Sequence, residues 1–142
     1  MSRKIKKVII HCSASPFGDV IEIDRWHRQR GWSGIGYHSV ITNGILKSGD
    51  KYKSENDGLL QRGRKSQFKG AHCRGHNDDS LGVCLIGNTH FTSKQFITLK
   101  DFLRDLMKRA GISVDDIYCH YELNSHKTCP NIDIELIRDL IR

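Results

Sequence analysis

The stretch KKVIIHCS, residues 6–13, decides what kind of fold this chain can form. Three consecutive β-branched residues between a basic start and a serine are typical of a short, buried β-strand, which we predict to end at His11. A second apolar run, LGVCLIG (residues 81–87), has no charged residue and predicts a fully buried central strand. Segments with helical periodicity alternate with these runs, so the chain as a whole predicts an α/β fold.

Three segments carry the signals of α-helices. The clearest is TSKQFITLKDFLRDLMKRAG (residues 92–111), which opens with a capping box and repeats an apolar residue every three or four positions. DVIEIDRWHRQRGW (residues 19–32) predicts a second helix, with Trp26 directed to the core and His27 to the helix surface. DIELIRDLIR (residues 133–142) predicts a closing helix that is capped by its first aspartate.

The remaining regular segments predict further strands. GYHSVIT (residues 36–42) and DIYCHY (residues 116–121) are short strands, and residues 45–63 predict short strands joined by Gly, Asn and Asp turns. The elements together predict a mixed central β-sheet flanked by about three α-helices. No repeat or shift of composition marks a boundary, so residues 1–142 are predicted to form a single domain.

Composition and charge restrict the possible partners. The net charge of +7 favours an anionic partner, and both nucleic acid and a bacterial wall with anionic polymers satisfy that condition. No apolar run approaches the roughly 18–20 residues of a membrane span, and the N-terminal apolar run is far shorter than a signal sequence requires. The chain is therefore predicted to be made in the cytoplasm and to have no membrane partner.

A His, His, Cys set predicts a metal site. His11 ends the first predicted strand and His120 lies near the end of the last one, so their imidazoles project from the same sheet end if the two strands are neighbours. Cys129 follows in the next loop. Two imidazoles and a thiolate suit Zn²⁺ and leave a fourth coordination position open, which is the catalytic pattern. His126 and Cys119 are rival ligands, although strand alternation directs Cys119 to the opposite face.

Four segments occur in an order that identifies a family: VIIHCSAS (residues 8–15), RWHRQRGWSGIGYHSVI (25–41), GAHCRGHNDDSLGVCLIG (70–87) and CHYELNSHKTCPNIDI (119–134). Together they resemble the zinc-dependent N-acetylmuramoyl-L-alanine amidases of the phage T7 lysozyme type, which are related to the peptidoglycan recognition proteins. The resemblance covers nearly the whole chain. It implies a peptidoglycan recognition protein-like fold and cleavage of the amide between N-acetylmuramic acid and L-alanine.

The resemblance also implies roles for individual residues. His11, His120 and Cys129 match the positions that hold one Zn²⁺ ion in the family. Tyr37 of the GYH motif and Lys127, two residues before the ligand cysteine, match residues that assist catalysis. A bound Zn²⁺ ion activates water and polarises a carbonyl, and donors such as these stabilise the charge that develops on the substrate.

The chain departs from the family pattern in two places. The interval between His120 and Cys129 is one residue longer, which makes His126 an alternative to Lys127 as the assisting residue. The segment of residues 45–64 is also longer than usual, and we predict an extra turn or hairpin there.

Three further residues are predicted to bind substrate: His72, Asn77 and Arg64. His72 precedes the central strand in a glycine-rich loop, where ligand contacts are common. Each has a structural alternative. His72 is then a hydrogen-bonded loop histidine, Asn77 forms an Asx-turn with Asp78, and Arg64 is a solvated surface residue.

The predicted function is that of a phage or prophage endolysin that acts on the cell wall after its release, with peptidoglycan or a muropeptide as partner and a monomeric state. Cytosolic recycling of muropeptides is an alternative for the same chemistry. A second alternative is a non-catalytic peptidoglycan-binding module. Related modules of that kind lack the ligand cysteine, so the presence of Cys129 argues against it. Contact between the basic start SRKIKK (residues 2–7) and nucleic acid or a phage RNA polymerase is a third.

Overall fold

The computed structural model describes residues 3–142, so the first residue of the basic start SRKIKK lies outside the described part of the chain. Five strands and four α-helices follow one another along the sequence. In chain order they are β1 Lys7–Cys12, α1 Val20–Gln29, β2 Ser39–Asn43, β3 Asp57–Arg62, β4 Ser80–Leu85, α2 Ser93–Ala110, β5 Ile117–Cys119, α3 His120–Leu123 and α4 Ile134–Ile141.

All five strands form one mixed sheet in the order β3-β2-β4-β1-β5. β1 runs parallel to both β4 and β5, and β2 runs parallel to β4, whereas β3 pairs antiparallel with β2 at one edge. The predicted α/β class with a mixed sheet is therefore confirmed. Within the described residues the helices number four rather than three, because α3 is a single extra turn.

Helices cover both faces of the sheet, which explains why the centres of β1 and β4 are apolar on both faces. On one face α2 and α4 contribute Leu99, Leu103 and Ile137, which pack on side chains of β1 such as Val8. On the other face α1 contributes Ile23 to a smaller cluster. Because side chains alternate along a strand, His11 of β1 lies on the face opposite Val8, on the same side as α1.

The helix signals in the sequence are confirmed at residue level. Thr92 and Gln95 form the capping box of α2, and Gly111 ends that helix in the left-handed conformation. Asp133 caps α4 through its side chain, as predicted, and Asp19 caps α1 in the same way. Each of these features depends only on residues within one helical turn, which is why the sequence shows them directly.

Two predicted strands are wrong in part. The segment DIYCHY stays in the sheet only to Cys119, and His120 begins α3 instead of continuing β5. The carboxylate of Glu122 accepts a hydrogen bond from the backbone N–H of Cys119 at 2.9 Å, which starts the helix there. Residues 45–63 contain one strand, β3, and a 3₁₀ turn at Ser54–Asn56 rather than several short strands.

Two residues of the basic start, Arg3 and Lys7, make polar contacts within the fold. The Arg3 guanidinium donates hydrogen bonds to the carbonyl oxygens of Ser66, Asn77 and Asp78, at 2.9 to 3.2 Å. Lys7 lies 3.4 Å from a carboxylate oxygen of Asp79. None of the helices in residues 3–142 combines the length and apolarity needed to cross a bilayer.

Candidate metal centre and active site

His11, His120 and Cys129 come together at one end of the parallel strands. β1 and β5 are neighbours, so His11 near the end of β1 and His120 directly after β5 meet at the same edge of the sheet. The Nδ1 atoms of the two histidines are 3.1 Å apart. One potential ligand atom from each of the three residues lies within 4.8 Å of the others.

This arrangement fits one Zn²⁺ ion. Two nitrogen ligands at about 2.05 Å from a tetrahedral zinc are about 3.3 Å apart, close to the observed distance between the two Nδ1 atoms. The backbone N–H of Cys12 donates to Sγ of Cys129 at 2.9 Å, which holds the sulfur beside the end of β1. The N–H of Tyr121 donates to the Cys129 carbonyl at 3.0 Å and ties the loop back to α3.

Burial prepares the two imidazoles for metal binding. Burial lowers the pKa of His11 well below its ordinary value, and the neighbouring His72 and His120 add to this effect. Burial and the nearby Lys127 charge also lower the pKa of His120. Both rings are therefore neutral near pH 7, with a nitrogen lone pair free for a cation.

The surroundings of the Cys129 thiol disfavour its ionisation. A hydrogen bond with the Cys12 thiol, together with burial, raises the pKa of Cys129, while the backbone N–H of Cys12 acts in the opposite direction. A cation at the site lowers the pKa of a coordinating thiol and favours the thiolate.

Tyr37 lies against the ligand group. Its ring centroid is 5.0 Å from that of His11, and burial raises the pKa of its phenol well above the usual value. The hydroxyl therefore keeps its proton across the physiological range and can only act as a neutral donor or acceptor.

Lys127 and His126 are exposed neighbours in the loop between α3 and Cys129. The Lys127 charge lowers the pKa of both His11 and His120, so its ammonium lies within electrostatic reach of the ligand group. Lys127 also lines an open surface depression of about 520 Å³. His126 is not part of the ligand group, and its backbone N–H donates to the Asn124 side chain at 3.1 Å.

The three predicted substrate-binding residues are engaged within the protein. Nδ1 of the buried His72 lies 2.8 Å from Nε2 of His11. Oδ1 of Asn77 accepts hydrogen bonds from the backbone N–H groups of His72 and Cys73, both at 3.0 Å. Arg64 donates to the carbonyl oxygens of Ile35 and Lys69 at 3.0 and 2.9 Å.

His27 was predicted on the helix surface, and this is wrong. Its side chain is only 5% exposed, and its Nδ1 accepts a hydrogen bond from the N–H of Gly36 at 2.9 Å. Its ring packs against Trp32 and Tyr37, with centroid distances of 4.5 and 5.4 Å. The signal was present in the sequence, because His27 follows the buried Ile23 at a spacing of one helical turn.

The buried histidines predict that acid destabilises the fold. Burial lowers the pKa of His27 and of His38 to about 4, whereas an unfolded histidine titrates near 6.5. Below pH 6.5 the unfolded chain therefore binds more protons, and stability is lost as the pH falls toward 4. We expect the free energy of unfolding, measured with urea in the presence of a chelator, to fall by about 2 kcal/mol or more between pH 6 and pH 5.

The control for this pH dependence is the exposed His126. His126→Ala should show the same slope between pH 6 and pH 5 as the wild-type protein. A free energy of unfolding that stays constant over this interval would contradict the neutral, buried state of these histidines.

The chain belongs to the N-acetylmuramoyl-L-alanine amidase family, whose family model matches residues 1–132. The resemblance predicted from the four sequence segments and the predicted enzyme class, an N-acetylmuramoyl-L-alanine amidase, are thus confirmed.

Individual relatives agree with this assignment. The chain is 30% identical over 139 residues to the endolysin of Escherichia phage T7, covering 90% of this chain and 82% of that endolysin. The structure of N-acetylmuramoyl-L-alanine amidase LysC from Clostridium intestinale URNW superposes with a TM-score of 0.78 at 28% identity, over 96% of this chain and 85% of the other. A mutant of Drosophila PGRP-LB in complex with tracheal cytotoxin shares the fold, with a TM-score of 0.72 at 22% identity over 92% of this chain and 77% of the other.

Proposed function

We propose that the protein is a zinc-dependent hydrolase that cleaves the amide between N-acetylmuramic acid and L-alanine in peptidoglycan, and that it serves a phage or prophage as an endolysin. The observation that carries this proposal is the grouping of His11, His120 and Cys129 within 4.8 Å, in a chain of the amidase family. The relative with the endolysin role matches over most of both chains.

His11, His120 and Cys129 would hold the ion, and their number leaves one tetrahedral position for water or substrate. When bound, Zn²⁺ supplies an activated water molecule and polarises the scissile carbonyl. The protein's part is to keep both imidazoles neutral by burial and to hold the sulfur through the N–H of Cys12.

Tyr37 and Lys127 would act on the substrate. The phenol of Tyr37 keeps its proton and lies beside His11, so it can donate a hydrogen bond to the carbonyl oxygen as negative charge develops. The Lys127 ammonium lies within electrostatic reach of the same ligand group and would stabilise that charge or protonate the leaving amine. Neither residue is proposed as a ligand, since a protonated lysine has only donors.

The roles of Asn77 and Arg64 are better explained by the fold than by substrate. The Asn77 side chain holds the backbone of the loop at His72, and Arg64 bridges two separate carbonyl oxygens. We therefore assign both residues to the support of the loop around the site. The single domain over residues 1–142, the monomeric state and the polymerase contact remain predictions of the sequence.

The products of wall digestion test the proposed reaction. Purified wall treated with the protein should release new amino groups of L-alanine without new reducing sugar ends, because the amide is cut and the glycan is not. New reducing ends would instead indicate a glycosidase, which requires a pair of carboxylates. If the protein binds the wall but releases neither product, the alternative of a non-catalytic peptidoglycan-binding module is favoured.

A further inference from the structure

We propose that Ser80 and His72 form a hydrogen-bond relay that sets the tautomer and orientation of His11, and are thus positioning residues for the metal centre. The inference rests on the proposed metal site. It differs from the substrate-binding role that the sequence predicted for His72, and it assigns a role to Ser80, which no sequence signal singled out.

The carbonyl oxygen of His76, at one end of the relay, fixes the direction of each hydrogen bond. The Ser80 hydroxyl lies 2.6 Å from the carbonyl oxygen of His76, and because a carbonyl only accepts, Ser80 must donate there. Nε2 of His72 is 3.2 Å from the same Ser80 oxygen. Since the hydroxyl proton is already used, His72 must be the donor in this second hydrogen bond.

The tautomer of His11 is the consequence. A neutral His72 with its proton on Nε2 has a lone pair on Nδ1, which lies 2.8 Å from Nε2 of His11. His11 must therefore donate from Nε2, so its Nδ1 has the lone pair. That Nδ1 is the atom 3.1 Å from Nδ1 of His120, in the ligand group. Metal-binding histidines commonly donate their other N–H to an acceptor that fixes the ring in this way.

The surroundings of His72 hold its ring in place. A Cβ atom added at Gly82 would lie 2.6 Å from Cγ of His72, and one added at Gly70 would lie 2.5 Å from its Cδ2. The imidazole thus occupies a slot that two glycines leave open. His72 is 8% exposed and Ser80 is fully buried, so water has little access to compete for these hydrogen bonds.

Zinc affinity tests the relay. His72→Leu and Ser80→Ala should each raise the zinc dissociation constant about 10- to 100-fold, measured by competition with a chromophoric chelator. His72→Asn keeps an acceptor oxygen near the position of Nδ1 and should recover part of the affinity. His90→Leu, a change at an exposed histidine outside the relay, should bind zinc as the wild-type protein does.

The tautomer can be measured without metal. ¹⁵N NMR of the chelator-treated protein should show the His11 proton on Nε2 in the wild type, and a larger share on Nδ1 in Ser80→Ala. A wild-type His11 with its proton on Nδ1 would overturn the relay, even if His72→Leu fails to fold. Unchanged zinc affinity in both single variants, a folded His72→Leu and Ser80→Ala, would also overturn the relay. Absence of zinc binding by the wild-type protein would instead overturn the proposed metal site, while the NMR result still decides the relay.

Discussion

His11→Ala, His120→Ala and Cys129→Ala should each lose zinc at modest chelator concentration and reduce wall hydrolysis to background. The physical reason is that each removes one of the three proposed protein ligands, and the remaining pair would bind Zn²⁺ too weakly to retain it. Zinc content after dialysis and release of L-alanine amino termini from purified wall measure the two effects. Circular dichroism and thermal unfolding of each variant show whether the fold survives.

Cys119 provides the matched control for the ligand variants. Its side chain is buried in the core on the α2 and α4 face, where burial raises the pKa of the thiol to about 12. Cys119→Ala should therefore retain zinc and activity, although removal of a buried sulfur costs some stability. If Cys119→Ala empties the site while Cys129→Ala leaves it filled, the proposed ligand assignment is wrong.

Tyr37→Phe and Lys127→Ala should bind zinc normally and remain folded, but turn over about 10²- to 10³-fold more slowly. A donor that acts where charge develops in the transition state typically contributes about 2.7–4 kcal/mol. Tyr37→Phe removes only the hydroxyl, so the ring contacts with His11 and His27 are kept. Lys127 is exposed, so its replacement leaves no buried cavity. Measurements of kcat and of zinc content on the same preparations separate catalysis from metal binding.

His126→Ala is the control for Lys127→Ala. Both residues are exposed in the same loop, and the Lys127 charge lowers the pKa of both His11 and His120. His126→Ala should therefore keep nearly full activity. Full activity in Lys127→Ala with loss in His126→Ala would transfer the assisting role to His126.

Much of the fold could be predicted from the sequence because the decisive interactions are local. The capping box of Thr92 and Gln95 and the left-handed Gly111 involve neighbours along one helix. The apolar runs of β1 and β4 reflect burial on both faces of the sheet. Prediction failed where a side chain changes the backbone path, as Glu122 does when it turns the chain into α3 at His120.

The sequence by itself determined the family, three of the four described helices, the caps of α2 and α4, and the identity of the three potential ligands. Only the tertiary structure decided how those ligands meet, because the contacts join positions far apart in the chain. His11 is 109 residues from His120 and 61 from His72, and Cys12 is 117 residues from Cys129. Strand order and loop packing create these hydrogen bonds, and no local periodicity encodes them. The tautomer of His11 is set in the same way, by the relay that begins at Ser80 on β4.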